Sequence, residues 1–192
     1  MAQPTKPRVT RYHPVITLLH WVLAVLIIGS LMLGYFRIAP TANTDPQKIG
    51  PLRLHMSSGM AIFALMAIRF LLRLVTTKPP AAVTTYPALD RLAVLTHYAF
   101  YVLVLLMAAT GLSTAVLSGL NLIVFGGSGD PLPPSLLIYP TRVAHGYIAA
   151  ALATLIGLHV VAALYHQFFL RDGLFRRVWF GRRKANLPTT TR

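Results

Sequence analysis

The sequence predicts an all-α integral membrane protein, a four-helix transmembrane bundle. Three observations carry that reading. Of 192 residues, 55% are hydrophobic and only 11% charged, a balance that soluble domains do not show. Four apolar runs are each long enough to cross a hydrocarbon core of about 30 Å. The basic residues, which give a formal net charge of +14, flank those runs. They therefore read as topology signals and lipid-headgroup contacts, and nucleic acid is not expected as a partner. There are no cysteines, which excludes disulfides, c-type haem attachment and thiolate-bound iron–sulfur clusters.

Residues 1–13 are polar and basic, and Pro14 suits the first turn of a helix, where its missing N–H is harmless. The first span is expected over about 15–36. It is too long for a signal peptide and no small-residue cleavage site follows it, so it is expected to remain as a span. Residues 37–52 read as a loop bearing proline and asparagine, and the second span covers about 54–75. Residues 76–90 hold three prolines and read as a loop. The third span covers about 92–117. Residues 118–141, with GGSGD and PLPP, form a long irregular connection that cannot lie exposed to lipid. The fourth span covers about 143–170, followed by the basic tail RDGLFRRVWFGRRK. All four spans are read as one transmembrane domain over 1–192.

Four spans place both termini on one side. Lys6, Arg8, Arg11, Arg69, Arg73, Lys78, Arg91, Arg171, Arg176, Arg177, Arg182, Arg183, Lys184 and Arg192 lie on that side, against Arg37, Lys48, Arg53 and Arg142 on the other. The positive-inside rule assigns the richer side, with both termini, to the cytoplasm of a multi-pass membrane protein.

The fourth span holds His145 and His159, fourteen residues apart. At about 100° and 1.5 Å per residue the two imidazoles share one helix face, about 21 Å apart along the axis. Ionisable groups inside a bilayer mark function, and neutral imidazoles at two depths are what two stacked b-type haems need as axial ligands. Depth sorts the others. His55 opens the second span on the outer side, so His55 and His145 pair there. On the inner side, His159 meets either His20 or His97, and depth alone does not choose. His13 and His166 lie at the inner boundary, where, with Arg171, a quinone site is a candidate. The fourteen-residue step also leads from His20 to Gly34, from His55 to Arg69 and from His97 to Gly111. Gly34 would leave room for a macrocycle at the outer level. The Arg69 guanidinium would suit a haem propionate at the inner level. Ser57, Ser58, Gly59 and Gly157 would leave further space.

The stretches RYHPVITLLHWVLA, LRLHMSSG, AIRFLLRL, LTHYAFYVLVLLMAATG and AHGYIAAALATLIGLHVVAALYHQFFLRDGLFRRV resemble the bacterial cytochrome b561 family, four-helix dihaem proteins of the inner membrane. The resemblance covers all four spans. It implies haem ligands from the first, second and fourth helices: His20 and His159 for the inner haem, His55 and His145 for the outer one. His97 is then a neighbour that tunes rather than a ligand. The chain departs from the family at Gly146, where some relatives carry an acidic residue, and at MAATG, where relatives often carry proline before the glycine.

Two haems so placed form a path for single electrons across the bilayer. No dinucleotide fingerprint or nucleophile triad is visible, so the expected partners are a membrane quinone and a small donor or acceptor outside. The resemblance implies oxidation of periplasmic superoxide with electrons passed to ubiquinone. Lys48, Arg53 and Arg142 are candidates for attracting the anion. Two rival readings are a cytochrome b subunit of a hydrogenase or formate dehydrogenase, fed by an iron–sulfur protein partner, and a haem-free transporter using its histidines as a proton relay.

Overall fold

The computed structural model describes residues 8–80, 87–181 and 185–186. Lys6, Arg182, Arg183, Lys184 and Arg192, and part of the loop expected at 76–90, lie outside the described residues. The chain forms α1 (Pro14–Leu33), α2 (Ile49–Val75), α3 (Pro87–Leu117), a short α4 (Leu120–Phe125) and α5 (Pro140–Tyr165). Four of these helices, all but α4, are long and apolar enough to cross a membrane. Because α1, α2, α3 and α5 alternate in direction, both termini lie at one end, here called the lower end. The α1–α2 and α3–α5 connections lie at the upper end.

Helix boundaries follow from local chemistry. The His13 ring accepts a hydrogen bond from Val15 N–H at 3.3 Å and Pro14 fills the first turn of α1. The helix then widens into a π turn over Gly34–Ile38, as α5 does over His166–Leu170. Asp45 caps a 3₁₀ turn over Pro46–Lys48 by accepting from Gln47 N–H at 2.8 Å. That turn runs directly into α2, so the helix starts at Ile49, inside the stretch expected as loop. Pro51 is no obstacle, since it falls in the first turn, where no backbone bond is lost. At the other end, Arg171 adopts a left-handed backbone (φ 51°) and stops α5.

Large apolar side chains such as Val25, Leu71 and Val161 point outward and are exposed, as they are on helices solvated by lipid. Most of the buried apolar side chains fall into two groups. Leu23, Ile62, Val104 and Leu152 contribute one residue from each spanning helix to a central layer. Ile38, Leu52, Ala115, Leu120, Val124 and Leu132 close the upper end. In the second group α4 folds back into the bundle, with Val124 fully buried and its carbonyl accepting from Arg53 Nε at 3.0 Å. Leu120, Val124 and Leu132 thus anchor the irregular 118–141 connection to the bundle, while most of its other residues are exposed.

The lower end is tied by the tail. Arg8–Val9 pairs antiparallel with Ala185–Asn186. Arg11 donates to the carbonyls of Trp179 and Phe180, and Trp21 Nε1–H donates to Val178 O at 2.9 Å. Trp21 also packs edge-on against Phe175 and Trp179.

Candidate functional site

Three layers of side chains line the seam between the four spanning helices, and a seven-residue step generates them. On α5 it runs His145, Leu152, His159. On α2 it runs His55, Ile62, Arg69, and on α3 His97, Val104, Gly111. On α1 it runs His20, Ile27, Gly34. Seven residues are nearly two turns, so each set stays on one face. The upper layer therefore holds two histidines and two glycines. The middle layer is apolar, with Ile62, Val104 and Leu152 all under one-tenth exposed. The lower layer holds three histidines and Arg69.

In the upper layer the rings of His55 and His145 lie 6.1 Å apart, centre to centre. In the lower layer His20 and His159 lie 6.5 Å apart, and His97 lies 6.0 Å from His159. A metal–imidazole bond of about 2 Å on each side, with roughly 1 Å more to each ring centre, puts two ligands of one metal about 6 Å apart. All three separations suit that geometry. Among the described residues no three His, Asp or Glu side chains converge as a directly chelated ion would need. The arrangement offers pairs, which is what a metal held equatorially by a porphyrin requires.

Hydrogen bonds set the tautomers. The Thr110 hydroxyl has one proton, and its shortest contact, 2.7 Å, is to Leu106 O. At its 3.1 Å contact with His145 Nδ1 the hydroxyl oxygen therefore accepts, and Nδ1 carries the hydrogen. His55 Nδ1 lies 3.0 Å from Ser30 Oγ. Ser58 Oγ–H donates to His55 O at 2.9 Å and to Ser30 Oγ at 3.4 Å. His97 Nδ1 is anchored on Ala93 O at 2.6 Å. At His145 and His97 this leaves Nε2 with a bare lone pair, the state of a ligating imidazole whose far nitrogen is held by the protein.

Gly111 makes room for the His145 ring, whereas a side chain at Gly34 would meet His55 at ordinary contact distance. A Cβ at Gly111 would come within 3.1 Å of His145 Cε1, and one at Gly34 within 3.6 Å of His55 Cε1. At Gly59 and Gly157 an added Cβ would meet nothing within 4 Å, so neither relieves a close contact. Arg69 lies close enough to His20, His97 and His159 for its charge to bear on all three. Its buried Nε has no hydrogen-bond partner, and neither does the buried hydroxyl of Tyr101. The lower layer thus offers imidazoles beside a guanidinium whose Nε is unpartnered, a donor set that fits a haem and its carboxylates.

Of the upper-end cations, Lys48 is buried, its ammonium bonded to Thr41 O and, at 2.7 Å, to Asn43 Oδ1. Arg53 is tied to Val124 O. Arg142 is half-buried, lies over Gly146 with Nη1 3.4 Å from where a Cβ would sit, and its charge reaches both His55 and His145. At the lower boundary His166 Nδ1 pairs with Asp172 Oδ2 at 2.5 Å. His13 is committed to capping α1.

Sequence reasoning missed Ser30, Thr110 and Tyr101. Tyr101 follows His97 by four residues, one turn on the same face, and that spacing was the available signal. Ser30 and Thr110 had none, because their importance comes from a partner on another helix.

The chain matches the model of the prokaryotic cytochrome b561 family over residues 11–181. It is 29% identical over 170 residues to a probable superoxide oxidase CybB of Yersinia pestis, covering 83% of this chain and 90% of that one. It is 26% identical over 172 residues to cytochrome b561 homolog 2 of Escherichia coli strain K12, covering 88% and 90%. It is 28% identical over 164 residues to a cytochrome b562 of Cereibacter sphaeroides, covering 83% and 89%. With a match spanning all four membrane helices and imidazole pairs facing one seam, the chain belongs to the prokaryotic cytochrome b561 family, multi-pass membrane proteins that bind b-type haem and carry electrons.

Proposed function

We propose that the protein is a superoxide:ubiquinone oxidoreductase of the inner membrane, with two b-type haems and both termini in the cytoplasm. The observation that carries this reading is the pair of imidazole pairs, 6.1 and 6.5 Å between ring centres, on two levels of one bundle. Helix α5 contributes one histidine to each level, about 21 Å apart. His55 and His145 hold the outer haem, and His20 and His159 the inner one. Each haem supplies a one-electron iron couple.

The chain's own groups do the rest. Thr110 fixes His145 as an Nε2 ligand, and Ser30 Oγ meets His55 Nδ1 at 3.0 Å. Gly34 and Gly111 leave the outer level open to the macrocycle. The layer of Ile62, Val104 and Leu152 keeps water out between the levels. Arg142 faces the outer pair with, among the described residues, no hydrogen-bond partner for its guanidinium, and a cation there draws an anionic donor toward the outer level. Two superoxide anions each give up one electron and leave as dioxygen. Ubiquinone takes the two electrons with two protons on the inner side, where His166 and Asp172 stand at the boundary.

His97 supports a second reading of the inner level, because it lies as close to His159 as His20 does and has its Nδ1 anchored. The family resemblance favours His20. A visible spectrum of the purified protein tests the whole proposal. Two low-spin haems per chain that superoxide reduces and a ubiquinone analogue reoxidises are expected. Haems that stay oxidised under a superoxide flux, yet reduce with a co-purified iron–sulfur protein, would make the chain a subunit of a larger enzyme. A colourless protein would return the histidines to a proton relay.

A further inference from the structure

Arg69 Nε and Tyr101 Oη are, among the described residues, the buried side-chain polar atoms with no hydrogen-bond partner. Such atoms are costly to bury, a charged one above all. Both lie on the seam. Arg69 is fourteen residues after His55 and Tyr101 four after His97, so each shares a face with a histidine that looks into the bundle. The Phe70 ring packs edge-on against the Tyr101 ring at 5.3 Å, which fixes the phenol at the α2–α3 contact. Arg69 is close enough for its charge to bear on that hydroxyl. Arg73, one turn below, is already engaged over the Tyr12 ring.

A guanidinium N–H and a phenol O–H that leave each other unbonded are both satisfied by one acceptor with two oxygens. An ionised carboxylate has that form. Free inorganic anions are kept from this depth by the apolar surroundings, whereas a b-type haem brings carboxylates with it. We propose that Arg69 and Tyr101 together hold one propionate carboxylate of the inner haem, which rests on the two-haem reading above. The phenol is a second donor that the sequence reading did not foresee. It gives α3 a task in a site whose proposed axial ligands come from α1 and α5. The inner cofactor is then fixed from all four spanning helices.

The test uses the full chain, produced in cells starved of haem and reconstituted in detergent with either iron protoporphyrin IX or its dimethyl ester, which has no carboxylate. Tyr101→Phe keeps the ring and its packing on Phe70. Wild type and variant should both take up two equivalents with bis-imidazole spectra. With the free acid, one of the two haems should leave Tyr101→Phe for excess apomyoglobin about 10-fold faster than it leaves wild type, the loss expected for one hydrogen bond to a charged group. With the ester, the two proteins should release equally fast. Equal release with the free acid, or a difference that persists undiminished with the ester, would overturn the propionate assignment while leaving the two-haem reading intact. A wild type that takes up fewer than two equivalents would instead remove the two-haem reading itself.

Discussion

Replacing Thr110 by Val exchanges a hydroxyl for a methyl of similar shape at a contact that orients His145. The hydroxyl oxygen lies 3.1 Å from His145 Nδ1 and gives its own proton to Leu106 O. The substitution therefore removes an acceptor from Nδ1–H and leaves the helical backbone bonds in place. Donation from Nδ1 makes an imidazole a stronger base and so favours ferric iron on the opposite nitrogen. A neutral hydrogen bond is worth about 1 kcal/mol. With half to all of that felt differently by the two iron states, and 59 mV per factor of ten for one electron, the outer midpoint potential should rise by about 20–40 mV. The inner potential should stay fixed, because its ligands lie about 21 Å away along α5. A spectroelectrochemical titration resolves the two steps. Thr154→Val serves as control, since that hydroxyl bonds only its own helix at Ala150 O. A shift of both steps together, or no shift in either, would refute the assignment of Thr110 as the group that holds His145.

The other expectations concern different parts of the chain. Reporter fusions after residues 45 and 130 should read as periplasmic, and fusions between α2 and α3 or at the C-terminus as cytoplasmic; a cytoplasmic signal from the α3–α5 connection would invert the assignment of levels. Arg142→Gln should slow reduction by superoxide several-fold at low salt and flatten its fall with ionic strength, whereas a quinone analogue should reoxidise the variant at the wild-type rate. Burial alone pushes the Asp172 carboxyl up, but the Leu174 N–H and the His166 ring, with Arg177 beyond, hold it below its ordinary 3.8. A depressed carboxyl stabilises the fold above that ordinary value and ceases to do so as pH falls through the lower folded one. Hydrogen-exchange protection in 171–178, relative to the intrinsic rate at each pH, should therefore fall as the pH drops below about 4, and Asp172→Asn should bring the same loss of protection at neutral pH.

Much of this architecture was legible because it repeats. Four apolar runs separated by proline-bearing loops announce spans. The fourteen-residue step between His145 and His159 predicted a two-level seam, and the same step led to Gly34, Gly111 and Arg69, all of which face it. What stayed hidden depends on contacts between segments distant in sequence. Pro46 and Pro51 looked like loop residues, yet first-turn prolines let α2 start at Ile49. The six residues of α4 were too short for any period to show and are helical because Leu120 and Val124 bury themselves under the upper loops. Lys48 read as a surface cation, but Thr41 and Asn43 enclose its ammonium. The tail read as a basic extension, and nothing in its composition revealed that Val178 O would meet the indole of Trp21. Ser30 and Thr110 were silent for the same reason.

The central claim is the pairing of ligands, and the haem content of three variants tests it most directly. Purified His55→Ala, His20→Ala and His97→Ala should be compared by haem-to-protein ratio and low-spin visible spectrum. The account predicts that His55→Ala disturbs only the outer haem and His20→Ala only the inner one, each leaving the other with two imidazoles. It predicts that His97→Ala keeps both haems low-spin, with at most a shifted inner potential. A His97→Ala protein that loses one haem, beside a His20→Ala protein that keeps two low-spin haems, would contradict it and assign the inner ligand to α3.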